Sequence, residues 1–97
     1  MASLEVLNPV ATTVERSVRP AGRLADLDGL TIGLYWNMKA GGDAALDRTE
    51  ALLRGRYPGV RVRRYTGSVG WLMRHVTAED ADRIAGEVQA VVGTTND

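Results

Sequence analysis

The residues best suited to chemistry lie in a short polar loop, Asn37 to Asp43, which follows an apolar run and precedes a helical pattern. Lys39 is the only lysine of the chain, and Asn37 adds an amide. A loop between a strand and a helix N-terminus presents backbone N–H groups at the positive end of the helix dipole, which favours anions. We therefore predict that Asn37, Lys39, Gly41 and Gly42 bind an anionic group. The alternative is an ordinary glycine-rich turn with a solvent-facing lysine, since the loop matches neither the dinucleotide fingerprint nor the P-loop.

A second polar group follows the last strand-like run of the chain. Thr94, Thr95 and Asn96 come directly after an apolar segment near the end of the sequence. Ligands of open α/β sheets bind beyond the carboxyl ends of the strands. We predict that these three residues contact the same substrate as the loop around Lys39. The alternative is a frayed polar tail.

His75 is the single histidine and a candidate general base. The sequence offers no cysteine, no second histidine and no evident orienting carboxylate for it. The alternative is a solvated or structural loop residue. No motif indicates a metal site, and the sequence does not identify a cofactor.

Composition excludes several classes of protein. Twelve basic and 12 acidic residues balance among 97, whereas nucleic-acid binders normally carry a basic excess. Without cysteine there are no disulfides and no thiolate metal site. No apolar window is long enough to span a membrane, and the first residues do not resemble a signal peptide. We expect a cytoplasmic protein.

The periodicity predicts an extended N-terminal arm over residues 1–28, including a short strand at 4–7, and an α/β domain over 29–97. Strands are expected near 30–35, 60–65 and 89–93, and helices near 44–56 and 78–88. Asp43 is the expected N-cap of the first helix, and Thr77 with Asp80 forms a capping-box pattern for the second. Arg61, Arg63 and Arg64 are expected on the solvent face of an edge strand. The expected apolar stripes of the helices are Ala45, Leu46, Leu52 and Leu53, then Ala81, Ile84, Ala85 and Val88.

If the third strand pairs with the free side of the first, right-handed crossovers place the first strand in the centre of the sheet and the two helices on opposite faces. The predicted fold is a three-layer, Rossmann-like α/β half-domain with a short parallel sheet of strand order 2-1-3. Its third strand has an open edge, which parallel sheets rarely tolerate. We expect a partner chain, or a second copy, to complete it.

Four segments together resemble the UGSC-like family. They are LNP at 7–9, GLTIGLYWNMK at 29–39, GDA at 42–44 and AVVGTTND at 90–97. Family members look like L-(D/N)-P … G-x-T-(I/V)-G-L-x-x-N-x-K-x-x-x-D … A-V-V-x-G-x-x-D, followed by selenocysteine or cysteine and then Gly-Ser-Cys. The resemblance spans nearly the whole chain.

The resemblance implies thiol- or selenol-dependent chemistry on a small molecule. The nucleophile would follow the position of Asp97, so we expect it on a partner subunit that carries a Cys-Gly-Ser-Cys-like motif. A cleaved precursor and a selenocysteine codon read as a stop are the other two explanations. The expected function is one subunit of a heteromeric enzyme that acts on a small anionic organic molecule. The alternative is a non-catalytic subunit that binds an anion or nucleotide or is structural.

Overall fold

A computed structural model describes residues 7, 13–14, 16–70 and 75–95 of the chain. Three strands and two helices alternate: β1 (Thr31–Trp36), α1 (Gly42–Arg56), β2 (Arg61–Tyr65), α2 (Ala78–Glu87) and β3 (Ala90–Thr94). The strands form one parallel sheet of order β2-β1-β3. The predicted fold class, element order and strand order are confirmed, and the element boundaries agree within two residues.

The central strand β1 is apolar because both of its faces are covered. Ile32 and Leu34 point to the side of α1, where they form a buried cluster with Leu46 of α1 and Val60. On the opposite side, Tyr65 packs with two buried residues at the end of α2, Ile84 and Val88. The two helices therefore cover opposite faces of the sheet, as the crossover rule requires.

Gly33 makes the α2 side of the sheet possible. A Cβ at this position would lie 3.0 Å from Cε2 of Tyr65 and 3.3 Å from Cγ2 of Val88. A larger residue at position 33 would push Tyr65 and Val88 away from β1. Glycine is therefore needed at this position because of close packing, and not because of a special backbone conformation.

The start of α1 differs from the prediction. The helix begins at Gly42, with Gly41 as its N-cap at φ 94° and no side-chain capping bond, so Asp43 lies within the first turn and does not cap. A backbone turn replaces the side-chain cap, because the N–H of Gly42 donates to the carbonyl of Lys39 and that of Ala45 to Gly41. The start of α2 follows the prediction: Thr77 and Asp80 form a complete capping box.

The sheet buries only part of the apolar stripe of each helix. On α1, Leu46 is buried and Leu53 half-buried, whereas Ala45 and Leu52 are exposed. On α2, Ala81 and Ala85 are exposed.

The arm and the loop before α2 are described only in part. Residues 16–26 contain no helix or strand and are exposed. The strand predicted at 4–7 and the site residue Asn96 lie outside the described residues.

Candidate functional site

The loop after β1 is fixed by its own polar groups. The side-chain oxygen of Asn37 accepts a hydrogen bond from the backbone N–H of Lys39 at 3.2 Å, which is an Asx-type turn. Nε1 of Trp36 donates to the carbonyl of Lys39 at 2.8 Å. Between them, Met38 has a positive φ of 71°, a conformation that costs a non-glycine residue about 1–2 kcal/mol. The loop is therefore held in one shape beside the helix N-terminus.

The end of β3 meets this loop directly. Oγ1 of Thr94 donates to the carbonyl of Gly42 at 3.4 Å. A Cβ on Gly42 would lie 2.8 Å from Oγ1 of Thr94 and 2.8 Å from Cδ1 of Trp36. The structure thus brings Asn37, Lys39, Gly42 and Thr94 to one edge of the sheet.

This edge is the topological switch point of the fold. The crossover after β1 leads to β2 on one side of β1, whereas the crossover after β2 leads to β3 on the other side, so the direction of winding reverses at β1. In doubly wound sheets of this order, ligands bind in the crevice at that point. We call this edge, formed by the loop 37–41 and the end of β3, the β1/β3 crevice. Lys39 is half-buried at it, and Thr95 is exposed immediately after β3.

His75 is placed elsewhere. It lies in the connection from β2 to α2, where its backbone pairs with Val69 in an isolated antiparallel bridge. Its side chain is exposed. Within residues 16–70 and 75–95, no hydrogen bond joins its imidazole to the loop 37–41.

A second cavity, of about 390 Å³, opens on the other side of β1, between the ends of β1 and β2 and the first turns of α1. Its polar lining is Asp43, Asp47, Arg64 and Thr66. Nη2 of Arg64 lies 2.9 Å from a carboxylate oxygen of Asp47 and 3.0 Å from one of Glu50. The guanidinium is therefore neutralised by two carboxylates, so this cavity has no positive excess with which to bind an anion.

Sequence reasoning missed the role of Arg64. Its side chain lies on the α1 side of the sheet, opposite to Arg63, and not on a shared solvent face. Hydrogen bonds from Arg54 and Arg64 lower the pKa of Glu50 below its ordinary value. The available signal was the pair of consecutive arginines, because neighbouring residues of a strand point to opposite faces.

Two further titratable groups are buried, and both are structural. Asp80 accepts hydrogen bonds from the backbone N–H and the hydroxyl of Ser68 and from the backbone N–H of Thr77. The Ser68 hydroxyl, followed by the Thr77 backbone N–H, holds the pKa of Asp80 well below its ordinary value. The hydroxyl of Tyr65 donates to Glu87 at 2.6 Å. Burial, reinforced by Glu87, raises the pKa of Tyr65.

Asp80 and Tyr65 therefore hold elements together and are not poised for acid–base chemistry. Among the residues that the structure describes, no group of three or more acidic or histidine side chains is arranged to hold a metal ion. No helix in the described ranges is long and apolar enough to cross a membrane.

The fold places the chain in the class of small α/β proteins with a parallel sheet of order 2-1-3 and two helices. The chain matches the model of the UGSC family over residues 5–97 and therefore belongs to that family. No curated protein and no solved structure matches the chain.

Proposed function

We propose that the chain is one subunit of a thiol- or selenol-dependent enzyme that acts on a small anionic organic molecule in the β1/β3 crevice. The observation that carries this proposal is the contact between Thr94 and Gly42, which joins the end of β3 to the start of α1 at the switch point. Membership of the UGSC family supports the class of chemistry.

The proposed role of the crevice is electrostatic. Lys39 supplies a full positive charge, and the first turn of α1, which has no side-chain cap, adds backbone N–H donors. Asp43 in the same turn lines the cavity on the other side of β1 and partly offsets the dipole. Asn37, Lys39, Thr95 and Asn96 contact the substrate or an oxyanion that develops on it, a role worth roughly 3 kcal/mol per donor in known sites.

The proposed nucleophile lies outside these 97 residues, because they contain no cysteine. A partner subunit with a Cys-Gly-Ser-Cys-like motif provides it, and the crevice positions the anionic substrate for attack. In the same proposal the complex works in the cytoplasm, where thiols stay reduced, and serves a biosynthetic reaction.

The first experiment tests the anion site in this chain alone. Inorganic phosphate is titrated into the labelled protein, and backbone amide shifts are followed by NMR. We expect shifts at residues 39–44, and Lys39→Ala weakens binding at least tenfold. Arg48→Ala is the matched control, since it removes an exposed positive charge from α1. Equal phosphate affinity of the Lys39 and Arg48 variants would overturn the anion site.

The second experiment tests the thiol chemistry. The chain is co-expressed with the product of a neighbouring reading frame that carries the Cys-Gly-Ser-Cys motif, and reactivity of that cysteine toward iodoacetamide is measured with and without this chain. Faster alkylation in the complex supports the enzyme. Phosphate binding without any change in alkylation rate supports the alternative, a non-catalytic anion-binding or structural subunit.

A further inference from the structure

The outer edge of β3 is unpaired in the part of the chain that the structure describes. The strand pairs with β1 alone, and the N–H of Gln89 donates to the carbonyl of Thr31. Because the backbone groups of successive strand residues point to alternate sides, those of Ala90, Val92 and Thr94 point to the open edge. This edge offers a template for another strand.

Both faces of β3 expose apolar side chains. Val91 lies on the α2 side and is 50% exposed, whereas Val92 lies on the α1 side and is 38% exposed. A helix that docked on one face would leave the valine of the other face in water. A neighbouring strand with helices on both of its sides covers both, which is the normal environment of a parallel sheet.

A groove runs along the α2 side of this edge. Its volume is about 260 Å³. Ala81 and Ala85, one helical turn apart, allow a neighbouring helix to approach closely. Every residue of its lining is apolar or aromatic: Tyr35, Val76, Ala81, Ile84, Ala85 and Val91.

Charge distinguishes between the possible partners for this groove. Of the four acidic residues of α2, Asp80 is paired with Arg83 and Glu87 with Arg63. The other two, Glu79 and Asp82, are exposed and give the helix surface its acidic character. A second copy related by two-fold symmetry would bring the same acidic helix alongside. Like charges disfavour that pairing, whereas a helix with lysine or arginine at its margin fits.

We propose that β3 pairs with a parallel strand of a different polypeptide, and that the helix adjoining this strand fills the groove with an apolar face bordered by basic residues. The inference rests on the proposed function in one respect: a parallel strand ends beside the β1/β3 crevice, so the same partner completes the site. The sheet then continues across the interface and both valines of β3 are buried.

The test is site-specific photocrosslinking of the full chain in the cells that produce it. Benzoylphenylalanine replaces Ala85 on the α2 side, Val92 on the α1 side or, as a control, Leu52 on α1, which is 57% exposed. We expect the probes at 85 and 92 to link to one and the same protein, through peptides in a strand and its adjoining helix. The probe at 52 should link with less than one-tenth of that yield.

Several outcomes overturn the proposal: a link to this chain itself, a link from position 85 without one from 92, or no link from either. Val91→Lys should abolish the link from position 85, with circular dichroism checking that the variant is folded. Lys39→Ala should leave that link intact. If the crosslinks form as expected but phosphate does not bind at Lys39, only the proposed function is refuted. If phosphate binds at Lys39 but the crosslinks do not form, only the interface is refuted.

Discussion

Gly42 offers the sharpest test of how the crevice is built. In the structure a Cβ at this position would lie 2.8 Å from Oγ1 of Thr94, 2.8 Å from Cδ1 of Trp36 and 2.9 Å from its Nε1. Neither neighbouring side chain can move away freely, because each is held by a hydrogen bond. Nε1 of Trp36 donates to the carbonyl of Lys39, and Oγ1 of Thr94 donates to the carbonyl of Gly42. Gly42→Ala must therefore push the end of β3 away from α1.

Two opposing effects determine how much Gly42→Ala changes the free energy of unfolding. Overfilling a packed site costs about 1–3 kcal/mol. Alanine in place of glycine within a helix gains up to about 1 kcal/mol. The expected net result is a loss of about 1–2 kcal/mol in the free energy of unfolding.

Gly55→Ala is the matched control. Gly55 lies in the same helix, and a Cβ there would meet nothing within 4 Å. This variant should gain about 0.5–1 kcal/mol from helix propensity alone. The two alanine variants should therefore differ by about 1.5–3 kcal/mol, although the substitution is the same.

Urea unfolding followed by tryptophan fluorescence measures this difference. With a slope of about 1–2 kcal/mol per molar urea, the two midpoints should lie at least about 0.75 M apart. Phosphate affinity should fall in Gly42→Ala and stay unchanged in Gly55→Ala. Equal midpoints for the two variants would show that the loop and β3 are not packed together as the structure has them.

The remaining predictions concern the α2 side of the sheet. Tyr65→Phe should lower the free energy of unfolding by about 1 kcal/mol, because it removes the hydrogen bond to Glu87, whereas Tyr57→Phe should leave it unchanged within error. Asp80 has a depressed pKa, so the stability it contributes is present above its ordinary value of 3.8 and is lost as the pH falls below that value. Urea midpoints measured from pH 7 to pH 3 should therefore fall less steeply in Asp80→Asn than in the wild type, and Asp82→Asn should follow the wild type. An identical slope in Asp80→Asn would refute the role of its hydrogen bonds.

The order of elements was predictable because burial leaves a direct mark on the sequence. The near-continuous apolar run of β1 is typical of a strand covered on both faces, and the structure covers it with α1 and α2. Thr77 and Asp80 predicted their capping box by residue type and spacing. The strand order followed from the expectation that the third strand pairs with the free side of the first, and the handedness of crossovers then placed the two helices on opposite faces.

The details of the crevice were not predictable by the same means. Asp43 has the preferred side chain for an N-cap, yet Gly41 occupies that position because backbone carbonyls and Asn37 shape the turn. Arg64 was assigned to a solvent face, and its carboxylate partners depend on how α1 is placed over β2. Such contacts arise between segments far apart in sequence, which local patterns do not encode.

Strand β3 links the two proposals physically. Its inner edge hydrogen-bonds to β1, its end contacts Gly42 at the crevice, and its outer edge is the surface proposed for the partner. A strand added there would bury Val92 and hold the end of β3 against α1. Binding of the partner would thereby stabilise the crevice itself, since whatever binds the folded form preferentially also stabilises it. Phosphate affinity should therefore rise in the complex, and an unchanged affinity would mean that the interface and the crevice act independently.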